Sequence, residues 1–318
     1  MKHKCSPITF TRLVCLSASL LVLTVALRAQ SRPMAAPSLL PLRATISLTS
    51  SLVVLPVRVT DAEGNNISGL TKEDFRVYDD KQTQQLTLFQ QEDTPVTVGL
   101  LVDHSGSMET KLPNAIAAIY AFAQSSNPQD EMFVVNFNDR VSTESMGGAP
   151  FTHDPAILKK AIAAVAPSGR TALYDAVAQG LIHLGLGQQQ KKALIVVSDG
   201  GDNASQYKRS QVLRLAREAQ VTIYSIILVD AFSKDQNPRA LVQLSKDSGG
   251  AAFFPESQQA VIKASSLIAE DLRQQYVLGF MPDKQLASDS FRKLQVKVVT
   301  PDIGKVQVRT RLGYLCCK

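Results

Sequence analysis

The chain has 318 residues, 45% of them hydrophobic and 19% charged, which suits a globular protein with a real core and leaves room for one large domain or two modest ones. Its formal charge of +6 overstates its basicity. Lys2, Lys4, Arg12 and Arg28 lie in an acid-free N-terminal segment, and removing them leaves +2, so no nucleic-acid partner is inferred.

Residues 1–29 read as a secretory signal: a basic start over 1–12, an apolar run over 13–27 and small Ala29 as the cleavage point. The run is short for a bilayer span of roughly 20 residues, and an uncleaved membrane anchor is the alternative. Cys5 and Cys15 leave with this segment, so only Cys316 and Cys317 remain in the mature chain. No disulfide framework holds the body together. The adjacent pair allows a local disulfide, a cross-link or metal binding, and we read it as a frayed tail. The protein is expected to be exported, to the periplasm or beyond.

Residues 30–49, rich in Pro, Ser and Ala, form a linker. The segment 52–60 alternates apolar residues with Pro56 and Arg58 and predicts a strand near a sheet edge. A turn over 61–66, a short helical turn opened by Thr71, a strand over 75–78, a turn at 79–81 and a strand over 86–89 make 50–92 β-rich. From 93 to 271 strands alternate with helices. Strands are expected over 98–102, 132–137, 193–197, 221–229 and 251–254. The helices are 115–123, 156–165 capped by Asp154, 173–186, 210–219 capped by Ser210, 239–246 and 258–270. Asn138 and Asp139 turn the chain into an antiparallel edge hairpin over 140–145. This alternation predicts an α/β, Rossmann-like, doubly wound and mainly parallel sheet covered by helices on both faces.

Residues 272–318 return to strands, over 275–280, 294–299 and 305–311, the last two joined by a turn at 301–304. Two or three strands rarely stand alone. The β-rich ends are therefore expected to pair with each other in a flanking β-sandwich into which the α/β domain is inserted.

One stretch organises the chain. The apolar strand 98–102 runs into Asp103, Ser105 and Ser107 at alternate positions, with Gly106 allowing a sharp bend. Thr171 lies on a Gly-containing loop before a helix, and Asp199 follows the strand 193–197. Together they offer two carboxylates and three hydroxyls at strand ends and loops. These hard donors argue for Mg²⁺, with Mn²⁺ and Ca²⁺ as alternatives, over Zn²⁺. Asp175 and Asp202 are read as supporting or surface groups.

The Asp103-His104-Ser105-Gly106-Ser107 stretch, the Gly169-Arg170-Thr171-Ala172-Leu173-Tyr174-Asp175 loop and the Ser198-Asp199-Gly200-Gly201-Asp202-Asn203 turn together resemble the von Willebrand factor type A family over roughly 95–270. All five positions of the family's metal-ion-dependent adhesion site are present in order. The flanks are similar to a group of secreted bacterial proteins with this domain, through Gly69-Leu70-Thr71-Lys72-Glu73-Asp74-Phe75, Tyr276-Val277-Leu278-Gly279-Phe280 and Arg311-Leu312-Gly313-Tyr314. The resemblance implies that Ser105 and Ser107 bind the cation directly and that Thr171, Asp103 and Asp199 bind it directly or through water. It also implies that an acidic residue of a protein partner fills the open position, and that the last helix shifts when ligand binds. His104 departs from the family's usual small or polar residue.

Catalysis is not expected. The chain has no Gly-x-Ser-x-Gly elbow, no His at a fitting strand end and too few carboxylates for a metal phosphatase. Gly185-Leu186-Gly187 follows a helix and lacks a third glycine, so it is no dinucleotide loop, and no small-molecule substrate is inferred. Two binding roles remain: a cation-dependent grip on a partner's carboxylate, and a structural or chaperone-like envelope component working through the β-sandwich.

Overall fold

Eight consecutive buried residues, Val96–Asp103, form strand β5 at the centre of the molecule. A strand buried on both faces needs helices on both sides, and the surrounding chain supplies them. The computed structural model describes residues 52–91, 93–144, 148–229, 236–282, 290–300 and 304–315, all within the unit Thr49–Lys318. The expected signal and linker, the first three residues of the 301–304 turn, and Cys316 and Cys317 lie outside the described residues. Among the described residues no helix is long and apolar enough to cross a membrane.

The N-terminal part contains β1 (Val53–Thr60), β2 (Phe75–Asp79), β3 (Gln82–Gln84) and β4 (Leu86–Gln90). Thr71 opens the expected helical turn: its amide and hydroxyl both donate to Asp74 Oδ2, at 2.7 and 2.9 Å. Asp80 and Lys81 take positive φ, 45° and 73°, the left-handed pair that a two-residue hairpin requires. That turn makes β3, which the polar sequence Gln82-Thr83-Gln84 did not announce.

The α/β layer runs through α1 (Leu112–Ser125), β6 (Glu131–Phe137), β7 (Val141–Thr143), α2 (Pro155–Ala163), α3 (Leu173–Leu184), β8 (Lys191–Ser198), α4 (Arg209–Ala219), β9 (Thr222–Ile227), α5 (Pro238–Ser248), β10 (Ala252–Phe253) and α6 (Gln258–Arg273). Its sheet order is β10-β9-β8-β5-β6-β7, parallel except for the antiparallel edge strand β7. Asp154 caps α2 as expected, accepting from Ala156 N at 2.8 Å. Ser210 does not cap α4. That helix begins one residue earlier, with Lys208 at the cap and its amide donating to Gln211 Oε1 at 2.8 Å. The last helix extends past 270 to Arg273, capped at its start by Ser257.

The chain closes with β11 (Tyr276–Phe280), β12 (Phe291–Val298), β13 (Gln307–Arg309) and β14 (Gly313–Leu315). The two β-rich ends pair as expected, in two four-stranded sheets ordered β13-β1-β11-β4 and β14-β12-β2-β3. The inward residues of β1 (Val53, Leu55, Val57 and Val59) pack with Phe75, Val77, Tyr276, Leu278, Leu294 and Val296 into one core. Two features of the pairing go beyond the sequence pattern. The two strands flanking the 301–304 turn do not pair with each other: β12 pairs β2 and β14, whereas β13 crosses over to pair β1. The strand carrying Pro56 lies next to the edge strand of its sheet, near an edge as expected. It tolerates proline because β13 pairs only Arg58–Thr60, so one side of β1 lacks a ladder partner at Pro56.

The Arg311-to-Tyr314 motif has a structural part to play. The Tyr314 hydroxyl donates to Asp79 Oδ2 at 2.8 Å, and Arg292 pairs with Oδ1 of the same carboxylate at 2.7 Å. Arg311 reaches into the α/β layer and donates to Gln220 Oε1 at 2.9 Å.

Candidate metal centre

Chain direction places the candidate site. From β5 the chain steps to β6 on one side, then returns to β8 on the other. Such a reversal opens a crevice beyond the carboxyl ends of the two central strands. Asp103 is the last residue of β5, Ser198 is the last of β8, and Asp199 follows directly after it.

Asp103 is fully buried, and each of its oxygens is held. Oδ1 accepts from Ser105 N at 2.8 Å and Oδ2 from Ser198 Oγ at 2.6 Å. Burial pushes its carboxyl up to about 6; the hydrogen bonds from Ser105 and Ser198 oppose this, and the charge of Asp199 adds to it. Ser105 Oγ lies 3.2 Å from Ser107 Oγ, and Ser107 Oγ donates to Asp199 Oδ2 at 2.7 Å. Asp199 Oδ1 accepts from Gly201 N at 3.2 Å, and Lys111 Nζ stands 3.3 Å from Oδ2.

Thr171 is brought alongside by backbone contacts. Gly106 N donates to Gly169 O at 3.1 Å, clasping the loop after β5 to the loop before α3. Thr171 N donates to Asn203 Oδ1 at 2.9 Å, and Thr171 O accepts from Asn203 N and Ala204 N. Its side chain is not hydrogen-bonded to the other four. Two glycines permit these loops. Gly169 (φ +75°) passes against Asp139, and Gly200 (φ +84°) lies so near Asn237 that a Cβ would stand 2.8 Å from its carbonyl oxygen.

All five residues thus gather at one crevice. Ser105, Ser107 and Asp199 are in direct contact, Asp103 joins through the Ser105 amide, and Thr171 joins through its loop. The chemistry of the donor set fits a small hard cation, with two carboxylates and three hydroxyls on three loops. Among the described residues no group of three or more His, Cys, Asp or Glu could hold a metal. A cation here therefore depends on the hydroxyls, and it would keep more of its positive charge than one in a carboxylate cage.

Several residues of the site carried no strong sequence signal. Ser198 stands out in sequence only as part of a turn, yet it braces Asp103 and accepts from Gly200 N at 2.9 Å. Asn203 pins Thr171. Lys111, four positions after Ser107, carries no sequence signal for the site. His104 now has a role. Its ring turns away from the serines, and Nε2 lies 3.0 Å from Asn136 Oδ1. Asn136 Nδ2 donates to Ala161 O at 2.9 Å, so Oδ1 is the accepting atom and His104 Nε2 carries the proton. Burial lowers the His104 pKa, opposed by the Asn136 hydrogen bond, and the neutral ring ties β6 and α2 beneath the site. Asp175 accepts from Gln206 N and Tyr207 N, and Asp202 accepts from Ser205 Oγ. Both hold the loop after Asp199 against α3.

A ligand crevice at a topological switch point, lined by oxygen donors, defines a doubly wound α/β binding domain. The sequence model of the von Willebrand factor type A domain matches residues 97–267, more than half of the chain, and the protein belongs to that family. The fold is similar to a von Willebrand factor type A protein from Catenulispora acidiphila, with a TM-score of 0.50 and 11% identity over 84% of this chain and 74% of that one. Lower-scoring likenesses include an aerotolerance-related membrane protein from Bacteroides fragilis (TM-score 0.46, 15% identity, 56% of this chain and 98% of that). Another is the vWF domain of the type V pili tip protein Mfa5 from Porphyromonas gingivalis (TM-score 0.44, 15% identity, 56% and 95%). No curated protein matches the sequence.

Proposed function

We propose that this protein is an exported, non-enzymatic binding module. Asp103, Ser105, Ser107, Thr171 and Asp199 would hold a divalent cation, Mg²⁺ first, with which the module grips a carboxylate on a protein partner. The observation that carries this reading is the run of contacts from Ser105 Oγ to Ser107 Oγ to Asp199 Oδ2, at 3.2 and 2.7 Å, at the switch-point crevice. When bound, the cation supplies a positive centre with a position open to an external anion. The residues supply the rest. Asp103 orients the Ser105 amide, Gly106 and Gly169 clasp the two loops, and neutral hydroxyls leave the charge on the metal uncancelled.

The test is capture of partners from an envelope extract by the full chain in Mg²⁺ against EDTA, with Asp103→Ala as control. Capture that needs Mg²⁺ and is lost in Asp103→Ala supports the reading. Capture that survives both EDTA and Ser107→Ala overturns it.

One observation favours a second reading, in which the sandwich makes the main contact. On the exposed face of the β14-β12-β2-β3 sheet, Arg76 stands directly opposite Lys297, with Lys293 on the same face. Like charges in such a pair are unfavourable, so an anionic partner would relieve them. Capture unaffected by EDTA but lost in Arg76→Glu with Lys297→Glu would favour the sandwich.

A further inference from the structure

The geometry points to Lys111 as a built-in cation that competes with the divalent ion for Asp199 and so sets how tightly the site loads. This inference rests on the proposed cation seat and concerns its regulation.

Three observations carry it. The Lys111 side chain is only 12% exposed and its ammonium lies 3.3 Å from Asp199 Oδ2, the same oxygen that accepts from Ser107 Oγ. A lysine free to choose would extend into water, since its ammonium is strongly hydrated. Second, Lys111 is the N-cap residue of the 14-residue helix α1, whose first turn holds no acid. A helix N-terminus carries partial positive charge and disfavours a cation. Lys111 is therefore in an electrostatically poor position with respect to its own helix, and Asp199 compensates it. Third, the backbone fixes its approach. Lys111 N donates to Met108 O at 2.9 Å, and Lys111 O accepts from Ala115 N at 3.1 Å. The residue is thus anchored between the Ser105–Ser107 loop and α1.

An ammonium and a divalent cation drawn to one carboxylate oxygen repel each other across a partly buried crevice, where screening is weak. The divalent ion must either share Asp199 with Lys111 at reduced affinity or turn the lysine out to solvent. In both cases Lys111 weakens loading and keeps Asp199 in place when cation is scarce. Once turned out, the ammonium stands at the mouth of the crevice and adds positive charge where a partner's carboxylate would arrive.

The test is MgCl₂ titration by calorimetry on the full chain, comparing wild type, Lys111→Met and Lys111→Arg. Removing the charge should tighten Mg²⁺ binding by at least about tenfold, the order expected for one unit charge facing a divalent ion from about 6 Å even at water-like screening. Arg, which keeps the charge, should stay near wild type. Equal affinity in wild type and Lys111→Met overturns the inference, as does equal tightening by Met and Arg. A second measurement needs no variant. Acetylation of Lys111 in the wild type, followed by mass spectrometry, should rise several-fold when saturating MgCl₂ is added, and unchanged labelling in a protein that binds Mg²⁺ also overturns displacement. Absence of Mg²⁺ binding in both wild type and Lys111→Met sinks the seat itself, and the competition with it, a result distinct from binding that ignores Lys111.

Discussion

Two buried acidic clusters lie near opposite ends of the β8 strand, and they differ in what surrounds the carboxylates. At the carboxyl end, Asp103 and Asp199 are met by serine hydroxyls, backbone amides and the single ammonium of Lys111. At the other end, where Lys191 begins β8 and donates to Leu272 O at 2.6 Å, Asp271 of α6 is enclosed by cations. Arg58 of β1 approaches Oδ1 at 2.7 Å, and Arg309 of β13 and the Tyr224 hydroxyl both reach Oδ2. Burial raises the Tyr224 pKa well above its ordinary value, so the hydroxyl remains a donor. The first cluster is short of positive charge and opens beyond strand ends. The second has its charge answered from within and bolts the end of α6 to the sandwich. Burial of a carboxylate therefore does not mark a binding site by itself; the balance of its partners does.

The contrast can be broken most forcefully at Asp271. Asp271→Ala leaves Arg58, Arg309 and Tyr224 facing one another without a counter-charge, and urea denaturation should register a loss of about 3–5 kcal/mol. A loss below about 1 kcal/mol would mean that the cluster behaves like a surface ion pair. Asp103→Ala probes the other end. Wild-type protein at Mg²⁺ a hundred times its dissociation constant should gain about 2.7 kcal/mol in the same assay, and the variant should gain none. An undiminished gain would place the cation elsewhere.

A smaller effect is expected at Asp130, beside Lys191. Burial pushes the Asp130 carboxyl up to about 6, even though Val96 N and Asn127 N donate to it. Because the folded-state pKa is raised, the folded state holds this proton more tightly than the unfolded chain does. That contribution is full below the ordinary value of 3.8 and is lost as pH rises through about 6. Asp130→Asn should therefore flatten the pH dependence of stability across this window by on the order of 2 kcal/mol. Superimposable slopes for wild type and variant would refute it. The smallest effect is at the start of α6, the helix that spans the two ends. Ser257 Oγ accepts from Ala260 N at 3.2 Å, and Ser257→Ala should lower the thermal midpoint by an amount equivalent to about 1 kcal/mol.

Much of this molecule is written in local pattern. The alternation of β1 assigns Val53, Leu55, Val57 and Val59 to one face before any partner is known, because side chains in a strand alternate. The unbroken apolar run in β5 demands cover on both faces. The five candidate ligands could be picked out because each sits where a strand ends or a helix begins, and their order along the chain matches the family's pattern. The helix starts were less legible. Ser210 resembles a cap, but Lys208 fills that position and Gln211 supplies the reciprocal bond.

The residues that tie distant segments together could not be read in this way. β3 and β14 are short, and they exist as strands because β2 and β12 offer them an edge to pair with. β13 leaves the sheet of β12 to pair with β1, a choice made by the sandwich as a whole. Ser198 against Asp103, Asn203 against Thr171, Lys111 against Asp199 and Asp271 between two arginines are contacts across 32 to 213 positions of the chain. Sequence by itself determined the layer order, the buried faces and the oxygen donors, because these follow from periodicity and residue chemistry within a few positions. Only the tertiary structure decided which charges meet. A hydrogen bond or ion pair depends on ångström distances between segments that the sequence leaves far apart.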